Sequence, residues 1–247
     1  MFENYKLEIL YQDEYLVAIN KPTGLLVHKS MIDRHEIYFA MKMLRDELGQ
    51  WVYPIHRLDK PTSGVLLFAL DKHTAKLMSE QFMAHTIKKT YLCVVRGYTD
   101  ANGLIDHALK EKLDKIADKK SQEKEAQEAL TEYETLSYAE LDFAVGRYDK
   151  VRYSLVKVLP KTGRKHQIRR HMKHISHHLL GDTKYGRGEH NKLIRKEFNC
   201  HRLLLHASSL NIKHPYTNEE LHIEASLDDT FSFIIKTFFP QHTKQNF

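Results

Sequence analysis

The chain has 247 residues, 42% of them hydrophobic and 28% charged, which is typical of a globular protein with one large domain or two small ones. No apolar run reaches the roughly 18–20 residues that a membrane-spanning helix needs, and residues 1–6 lack the basic and apolar regions of a signal peptide. Only Cys93 and Cys200 are present, too few for a disulfide scaffold or a four-cysteine metal site. We therefore expect a reduced, cytoplasmic protein.

The positive charge is concentrated in one segment. Residues 160–202 hold twelve Lys and Arg against three Asp and Glu, whereas the rest of the chain holds 26 against 29. A concentrated basic segment favours a polyanionic partner, with nucleic acid first and an anionic membrane surface second. A solvated helix face is the third interpretation.

The hydrophobic pattern predicts many short strands separated by turn residues. The predicted strands lie at residues 6–10, 15–20, 65–70, 88–97, 103–109, 129–136, 141–145, 152–159, 203–211 and 220–225. The first two read as a hairpin that ends in a Pro-Gly turn at 21–24.

Four helices are predicted from apolar residues that recur every three or four positions. Their predicted core positions are Ile37, Met41, Leu44 and Leu48, then Ala75, Met78 and Phe82, then Ile168, Met172 and Ile175, and finally Phe231, Ile234 and Phe238. Asp33 and Asp71 are predicted to cap the first two helices, and residues 228–230 the last. Gly49 and Pro240 are predicted to end the first and last helices.

Residues 110–128 differ from their surroundings, because twelve of these nineteen residues are charged. We interpret the segment as an exposed hairpin or insertion within a single domain of residues 1–247. Mixed strands and helices with hairpin connections define an α+β fold, with a mostly antiparallel sheet flanked by helices.

One turn carries a reactive group between two cations. Residues 56–64 read His-Arg-Leu-Asp-Lys-Pro-Thr-Ser-Gly and precede the apolar run 65–70. Arg57 and Lys60 would favour the ionised form of Asp59, which could act as nucleophile or general base. A structural ion pair that braces the turn explains the same spacing. His56 is interpreted as a hydrogen-bonded turn residue.

The histidines do not indicate a metal site. Five of the 17 histidines lie between residues 166 and 178, but no HExxH arrangement occurs and the surrounding Lys and Arg oppose a dication. Residues 181–186 lack the Lys-Ser/Thr pair of a phosphate-binding Walker loop, and no GxSxG motif is present. We therefore predict neither a metal nor a nucleotide cofactor.

Five ordered motifs resemble those of the RluA-type pseudouridine synthases. The resemblance covers most of the chain and rests on residues 20–28 (NKPTGLLVH), 56–64 (HRLDKPTSG), 89–92 (KTYL), 162–169 (TGRKHQIR) and 202–207 (RLLLHA). It implies the catalytic-domain fold of that family and an isomerase that converts uridine in RNA to pseudouridine without a cofactor. Since the first strand opens near residue 6, we expect no N-terminal S4 domain.

The resemblance also assigns roles. It implies that Asp59 is the catalytic aspartate, that Tyr91 packs near the target base, and that Arg169 is the ion-pair partner of Asp59. A bidentate arginine would orient the carboxylate and keep it charged. Attack on the ribose C1′ and proton abstraction that yields a glycal both remain open.

The RNA contacts are predicted from charge and position. The target uridine must leave its stack, and Arg57 is our candidate to fill the vacated space. The phosphate-contact candidates are Arg164, Lys165, Arg170, Lys173 and Lys184. Arg164 and Lys165 are expected at a helix N-terminus, where their charge favours a bound anion.

The segment 169–186 most resembles family members that modify uridine 65 in the T-stem of tRNA. His178 departs from that pattern, which has proline there. Ribosomal RNA is the alternative substrate, and a noncatalytic RNA-binding protein is the alternative class. No obligate protein partner and no membrane partner are implied.

Overall fold

The computed structural model describes residues 2–29, 35–110 and 125–242. The strands are β1 (Glu8–Gln12), β2 (Leu16–Lys21), β3 (Tyr53–Pro54), β4 (Ser63–Ala69), β5 (Lys88–Arg96), β6 (Asn102–Asp106), β7 (Leu109–Lys110), β8 (Ala126–Gln127), β9 (Leu130–Leu141), β10 (Val151–Pro160), β11 (Leu205–Lys213) and β12 (Glu220–Glu224). The helices are α1 (Ala40–Leu48), α2 (Lys72–Met83), α3 (Gln167–His174), α4 (Gly188–Phe198) and α5 (Asp229–Phe238).

The chain forms two compact units. The first is drawn from Met1–Lys88, Ala108–Glu128 and Ser209–Ala225, and the second from Lys89–His107, Ala129–Ser208 and Ser226–Phe247. The proposal of one domain over residues 1–247 stays a prediction. No helix in the described ranges has the length and apolar character needed to cross a membrane.

In the first unit, β4 is the central buried strand. It pairs antiparallel with β2 and with the two-residue β3, and β1 continues from β2 as the predicted hairpin. All seven residues of β4 are buried, and Val65 and Leu67 belong to the same hydrophobic cluster as Leu16 of β2 and Met78 of α2. Each such side chain contributes roughly 1.5–3 kcal/mol by burial. This strand is therefore a rigid support for the loop that precedes it.

In the second unit, four antiparallel strands run in the order β5-β10-β9-β6. One face of this sheet packs on α5, with Tyr153 of β10 stacked on Phe238 at 5.5 Å between ring centroids. The other face packs on α3 through Ile168 and Met172. Both helix faces were predicted from their apolar spacing.

Caps and stops follow the predicted chemistry. The Asp71 side chain accepts hydrogen bonds from the backbone N of His73 (2.7 Å) and Thr74 (2.9 Å), and Asp228 caps α5 through Phe231 N at 3.0 Å. Gly49 ends α1 with φ of 67°, a left-handed conformation that glycine adopts without steric cost.

Three predicted elements were wrong, and one predicted cap is not described. Helix α1 begins at Ala40, so Ile37 lies outside it and is 65% exposed instead of belonging to the core. Residues 129–136 and 141–145 are not two strands, because β9 runs unbroken to Leu141 and the chain then turns. The predicted strand 103–109 ends at Asp106, and the predicted cap Asp33 lies outside the described residues.

Helix α4 was missed because its buried face is largely polar. His190 and Asn191 are buried beside Ile194, so the segment lacks the apolar periodicity that marks a helix. The charged segment at 110–128 begins and ends in paired strands, with Leu109 opposite Gln127 and Lys110 opposite Ala126. Residues 111–124 lie outside the described ranges, so the exposed hairpin or insertion stays a prediction.

Candidate active site

The loop that carries Asp59 is anchored at both ends in the first unit. The backbone N of Thr62 donates to the carbonyl of Asp59 at 3.0 Å, closing a turn. Leu58 is 5% exposed before this turn, and Thr62 and Ser63 are buried after it. Asp59 itself is partly buried. The carboxylate therefore sits on a short segment that has little freedom to move.

His56 completes the strand that leads into this loop. Strand β3 has only two residues, so its backbone cannot provide hydrogen-bond partners along the whole of β4. The Nε2 atom of His56 accepts the hydrogen bond from the backbone N of Leu67 at 3.1 Å, and its ring stacks on Phe82 at 5.1 Å. The prediction of a hydrogen-bonded turn residue is confirmed.

A buried lysine joins the first sequence motif to the Asp59 turn. Lys21 is 0% exposed, and its ammonium donates to the carbonyls of Pro22 (2.9 Å), Leu25 (2.8 Å) and Lys60 (3.2 Å). The hydroxyl of Thr23 adds a bond to the carbonyl of Pro61 at 2.8 Å. Burial of a lysine requires such partners. The sequence offered no signal for this role beyond the position of Lys21 at the end of an apolar strand.

The cations beside Asp59 occupy different environments. Lys60 forms a salt bridge to Glu36 at 2.8 Å and is 35% exposed, whereas Arg57 is exposed. Burial, and then the charge of Arg57, lower the pKa of His28. The first motif and the Asp59 loop therefore form one electrostatic neighbourhood within the first unit.

Tyr91 lies in the second unit on β5, opposite Val158 of β10. Its ring is partly buried and packs against the hydrophobic cluster that contains Cys93 and Val95 of the same strand and Ile168 of α3. Tyr91 and the helix that carries Arg169 therefore share one packed cluster.

Arg169 is held by a buried partner that the sequence reading missed. Its Nε and Nη2 atoms donate to Oδ2 and Oδ1 of Asp182 at 2.7 and 2.8 Å, and the two side chains are 6% and 1% exposed. Burial alone would raise the pKa of Asp182, but hydrogen bonds and charge from Arg169 and backbone bonds from Tyr185 and Lys184 hold that pKa below its ordinary value. The predicted pairing of Arg169 with Asp59 stays a prediction.

In the sequence, only the position of Asp182 in the motif at residues 181–186 could have indicated that it has a role at the site. Its Oδ1 atom also accepts the backbone N of Lys184 and of Tyr185, each at 2.9 Å, so the carboxylate shapes this turn as well as orienting the guanidinium. A bidentate carboxylate of this kind fixes both the position and the plane of an arginine.

The start of α3 is organised by Gln167. Its side-chain oxygen accepts from Thr162 Oγ1 (2.7 Å) and from the backbone N of Arg164 (2.9 Å), while its nitrogen donates to Leu130 O (3.0 Å) and Thr131 Oγ1 (2.9 Å). All four hydrogen-bonding positions of this buried amide are used. The helix begins at Gln167, so Arg164 and Lys165 lie two to three residues before it.

Basic side chains surround one aromatic ring near this turn. The Tyr185 ring lies 5.1 Å from the guanidinium carbon of Arg169 and 6.0 and 5.9 Å from the ammonium groups of Lys173 and Lys184. Cations at this distance from a ring face are attracted to it. Of the six predicted RNA contacts, Arg57, Lys165, Lys173 and Lys184 are exposed, and Arg164 and Arg170 are partly buried.

The histidine-rich segment has structural roles. The Nδ1 atom of His171 lies 2.9 Å from Thr131 Oγ1 and its Nε2 atom lies 3.0 Å from the His107 carbonyl. His107 in turn stacks on His174 at 3.8 Å. Within the described ranges, no three His, Cys, Asp or Glu side chains come together as metal ligands.

Comparison with known proteins assigns the family. Residues 15–174 match the family described as RNA pseudouridylate synthase. The chain therefore belongs to the RNA pseudouridylate synthase family, which confirms the prediction made from the five motifs.

Two solved human structures share the fold. RNA Pseudouridylate Synthase Domain Containing 4 has a TM-score of 0.68 at 28% identity, with 92% of this chain and 91% of that chain covered. RNA Pseudouridylate Synthase Domain Containing 1 has a TM-score of 0.68 at 25% identity, with coverage of 90% and 84%.

Among curated proteins, tRNA pseudouridine synthase C of Vibrio parahaemolyticus is 55% identical over 94% of this chain and 95% of its own. The protein of the same name from Haemophilus influenzae is 54% identical over 94% and 98%. That from Yersinia pestis is 50% identical over 94% and 91%.

Proposed function

We propose that this protein is a tRNA pseudouridine synthase, with uridine 65 of the T-stem as its target. The observation that carries the proposal is the 50–55% identity, along 94% of the chain, to proteins named tRNA pseudouridine synthase C. The same similarity favours tRNA over ribosomal RNA. The protein acts in the cytoplasm on RNA alone, without an obligate protein or membrane partner.

The reaction is an isomerisation. The bond between N1 of uracil and C1′ of the ribose breaks, the base turns, and C5 bonds to C1′ while its proton leaves and N1 takes up a proton. No group is added and no electron is exchanged with another molecule. The chemistry therefore requires a positioned acid–base or nucleophilic group and a site that holds a base turned out of its stack.

Asp59 is the group to which we assign this chemistry, with Tyr91 and Arg169 as the other catalytic residues. A turn closed by its own backbone bond and anchored in a buried strand holds Asp59, as preorganised catalysis demands. Tyr91 presents a partly buried ring on a rigid strand, suited to contact with a base. Arg169 presents a cation whose orientation Asp182 fixes.

Six basic residues are proposed to contact the RNA. Arg57 would occupy the space that the flipped uridine leaves, and phosphates would contact Arg164, Lys165, Arg170, Lys173 and Lys184. Phosphate contacts position a protein on RNA without reading its sequence. Loss of one such contact should reduce the slope of log affinity against log salt by about 0.7–0.9.

The test is pseudouridine formation in tRNA transcripts by the Asp59→Ala variant. We expect no product, with tRNA affinity within a factor of two or three of wild type, because binding alone does not need that carboxylate. Asp142→Ala is the matched control, since Asp142 is an 86% exposed carboxylate in the second unit; it should retain full activity. Product formed by Asp59→Ala at the wild-type rate would falsify the assignment of Asp59.

Mapping of pseudouridine in total RNA tests the substrate. Cells that lack the gene should lose the modification at tRNA position 65 and at no ribosomal position. Loss at a ribosomal site instead would move the substrate to ribosomal RNA within the same family. An unchanged map would support the noncatalytic RNA-binding alternative.

A further inference from the structure

A further group of cations lies in the second unit, and Lys173 belongs both to this group and to the predicted RNA contacts. It is built where the end of β5 meets the segment after α3. The backbone N of Arg96 donates to the His178 carbonyl at 2.9 Å, and Val95 and Leu179 form an antiparallel bridge beside it. Arg96 and His178 are thus cross-strand neighbours, whose Cβ atoms lie about 4.5–5.5 Å apart in such pairs.

The Arg96 side chain is anchored through one atom. Its Nε donates to Nε2 of His190 at 3.2 Å, and Nδ1 of His190 lies 3.1 Å from the Tyr153 hydroxyl. Because Nε2 accepts, the proton of the neutral ring is on Nδ1. Burial, and then the charge of Arg96, lower the pKa of His190 to about 4. A neutral histidine thus orients the arginine without neutralising it.

Two more cations complete the group. Arg187 is exposed and follows a turn closed by the Gly186 N–H to the Asp182 carbonyl at 3.0 Å. Arg187 is the N-cap residue of α4, the helix whose His190 holds Arg96, and Lys173 lies 6.0 Å from the ring of Tyr185, two residues before Arg187. Burial, followed by the charges of Arg187, Arg96 and Lys173, lowers the pKa of His178 against the opposing charge of Asp182. Within the described ranges, no carboxylate forms a salt bridge with Arg96, Lys173 or Arg187.

Nearby carboxylates do not cancel this charge. Asp182 is buried and already paired with Arg169. Glu189 lies close enough for Arg187 and Arg96 to contribute to lowering its pKa, after a backbone hydrogen bond and against burial. It is one negative charge against three positive ones, so the group attracts a further anion.

His178 supplies a neutral donor in the middle of the group. Its Nδ1 atom is buried and has no hydrogen-bond partner among the described residues. A proton on that nitrogen would be buried without an acceptor, which is costly. The neutral ring therefore carries its proton on Nε2, where it can serve as a hydrogen-bond donor.

We propose that Arg96, Arg187, Lys173 and His178 form a subsite for one phosphodiester of the RNA substrate, which adds Arg96, Arg187 and His178 to the contacts predicted from the sequence. The guanidinium groups supply forked donors suited to phosphate oxygens, and the substrate backbone supplies the missing negative charge. The inference rests on the proposed function for its ligand, since a pseudouridine synthase must hold a polyphosphodiester.

The test compares tRNA affinity by fluorescence anisotropy across salt concentrations. A phosphate contact that contributes about 0.7–0.9 to the salt slope strengthens binding about four- to sixfold at 0.15 M salt relative to 1 M salt. Arg187→Ala should therefore bind tRNA about four- to sixfold more weakly at 0.15 M salt, and its salt slope should fall by about 0.7–0.9. Lys196→Ala removes an equal charge from the last turn of α4, about 13 Å along that helix, and should leave both quantities unchanged. Equal behaviour of the two variants overturns the subsite.

Substitutions of His178 test whether this residue contributes to binding as a hydrogen-bond donor and not as a charge. His178→Leu should weaken binding without changing the salt slope, and His178→Gln, which keeps a donor, should restore affinity. Urea unfolding of each variant checks that the fold is intact. A His178→Leu variant that is folded and binds like wild type overturns the role of His178.

Two further measurements distinguish an error in the subsite from an error in the proposed function. In pseudouridine assays, Arg187→Ala should raise KM and keep kcat; if the wild type forms product and Arg187→Ala has an unchanged KM, only the subsite is wrong. If the wild type forms no product, the proposed function fails, while the binding series still tests the subsite. Inorganic phosphate that binds in calorimetry and is lost in Arg187→Ala, with tRNA affinity unchanged, would assign the group to a free anion and overturn its assignment to RNA.

Discussion

Replacement of Asp182 by asparagine tests how Arg169 is positioned. The substitution keeps the shape of the side chain and an oxygen that can accept from Lys184 N and Tyr185 N, but it removes the charge opposite a 6% exposed guanidinium. A buried arginine without its carboxylate costs about 3–5 kcal/mol of stability. Total stabilities are about 5–15 kcal/mol, so the variant should remain folded but weakened.

Urea unfolding and kinetics measure the two consequences. With a slope of about 2–3 kcal/mol per molar urea, the midpoint should fall by roughly 1–2.5 M. Asp142→Asn is the matched control, because Asp142 is 86% exposed and pairs with Lys150 on the surface; it should lose less than about 1 kcal/mol. Under conditions where it is folded, Asp182→Asn should show a lower kcat.

The Arg169–Asp182 pair also determines the direction in which stability changes with pH. Because the pKa of Asp182 is held below its unfolded value, its contribution is present above the unfolded pKa of about 4 and disappears as the pH falls through the folded pKa. The stability of the variant should therefore fall less steeply than that of wild type below about pH 4. An Asp182→Asn protein with wild-type midpoint, kcat and acid profile would refute the positioning role.

Two more substitutions test buried features. Lys21→Met should lose about 2–4 kcal/mol in urea unfolding, because three carbonyls lose their donor, whereas exposed Lys29→Met should stay within about 0.5 kcal/mol; equal losses would contradict the bracing role of Lys21. Gly181→Ala should be strongly destabilised in thermal unfolding, because the new Cβ would lie 1.9 Å from the Arg202 carbonyl at φ of +75°. Gly146→Ala, at φ of +64° with nothing within 4 Å, should lose only about 1–2 kcal/mol, and a similar loss at both glycines would contradict the close contact.

Local chemistry made most of the fold predictable. Alternating or continuous apolar runs located β2, β4, β5 and β10, and Asp71 capped α2 as its side chain required. The failures occurred where tertiary contacts outweighed local pattern. Ile37 fits a helical stripe but lies outside the helix and is exposed, and α4 buries polar His190 and Asn191, which no hydrophobic period can reveal.

Only those parts of the candidate site that lie in recognisable sequence motifs could be predicted. The position of Asp59 in a turn before a buried strand could be deduced from the residues, and the catalytic role that we propose for it came from the family resemblance. Lys21 and Asp182 were not identified as braces, because their partners are backbone atoms or a side chain that only the folded chain brings near. Whether a lysine is exposed or an aspartate is paired depends on neighbours that only the folded chain brings together.

The burial of β4 also bears on the dynamics of the Asp59 loop. Amide protons in a strand buried along its whole length exchange with solvent only through large openings of the structure. The loop is attached directly to such a strand, so the conformational entropy of ordering Asp59 is lost during folding and not during RNA binding. Deuterium uptake in β4 should therefore be slow with or without tRNA, and the exposed side chains that we propose as RNA contacts, such as Arg57 and Arg187, should provide the adaptation to RNA.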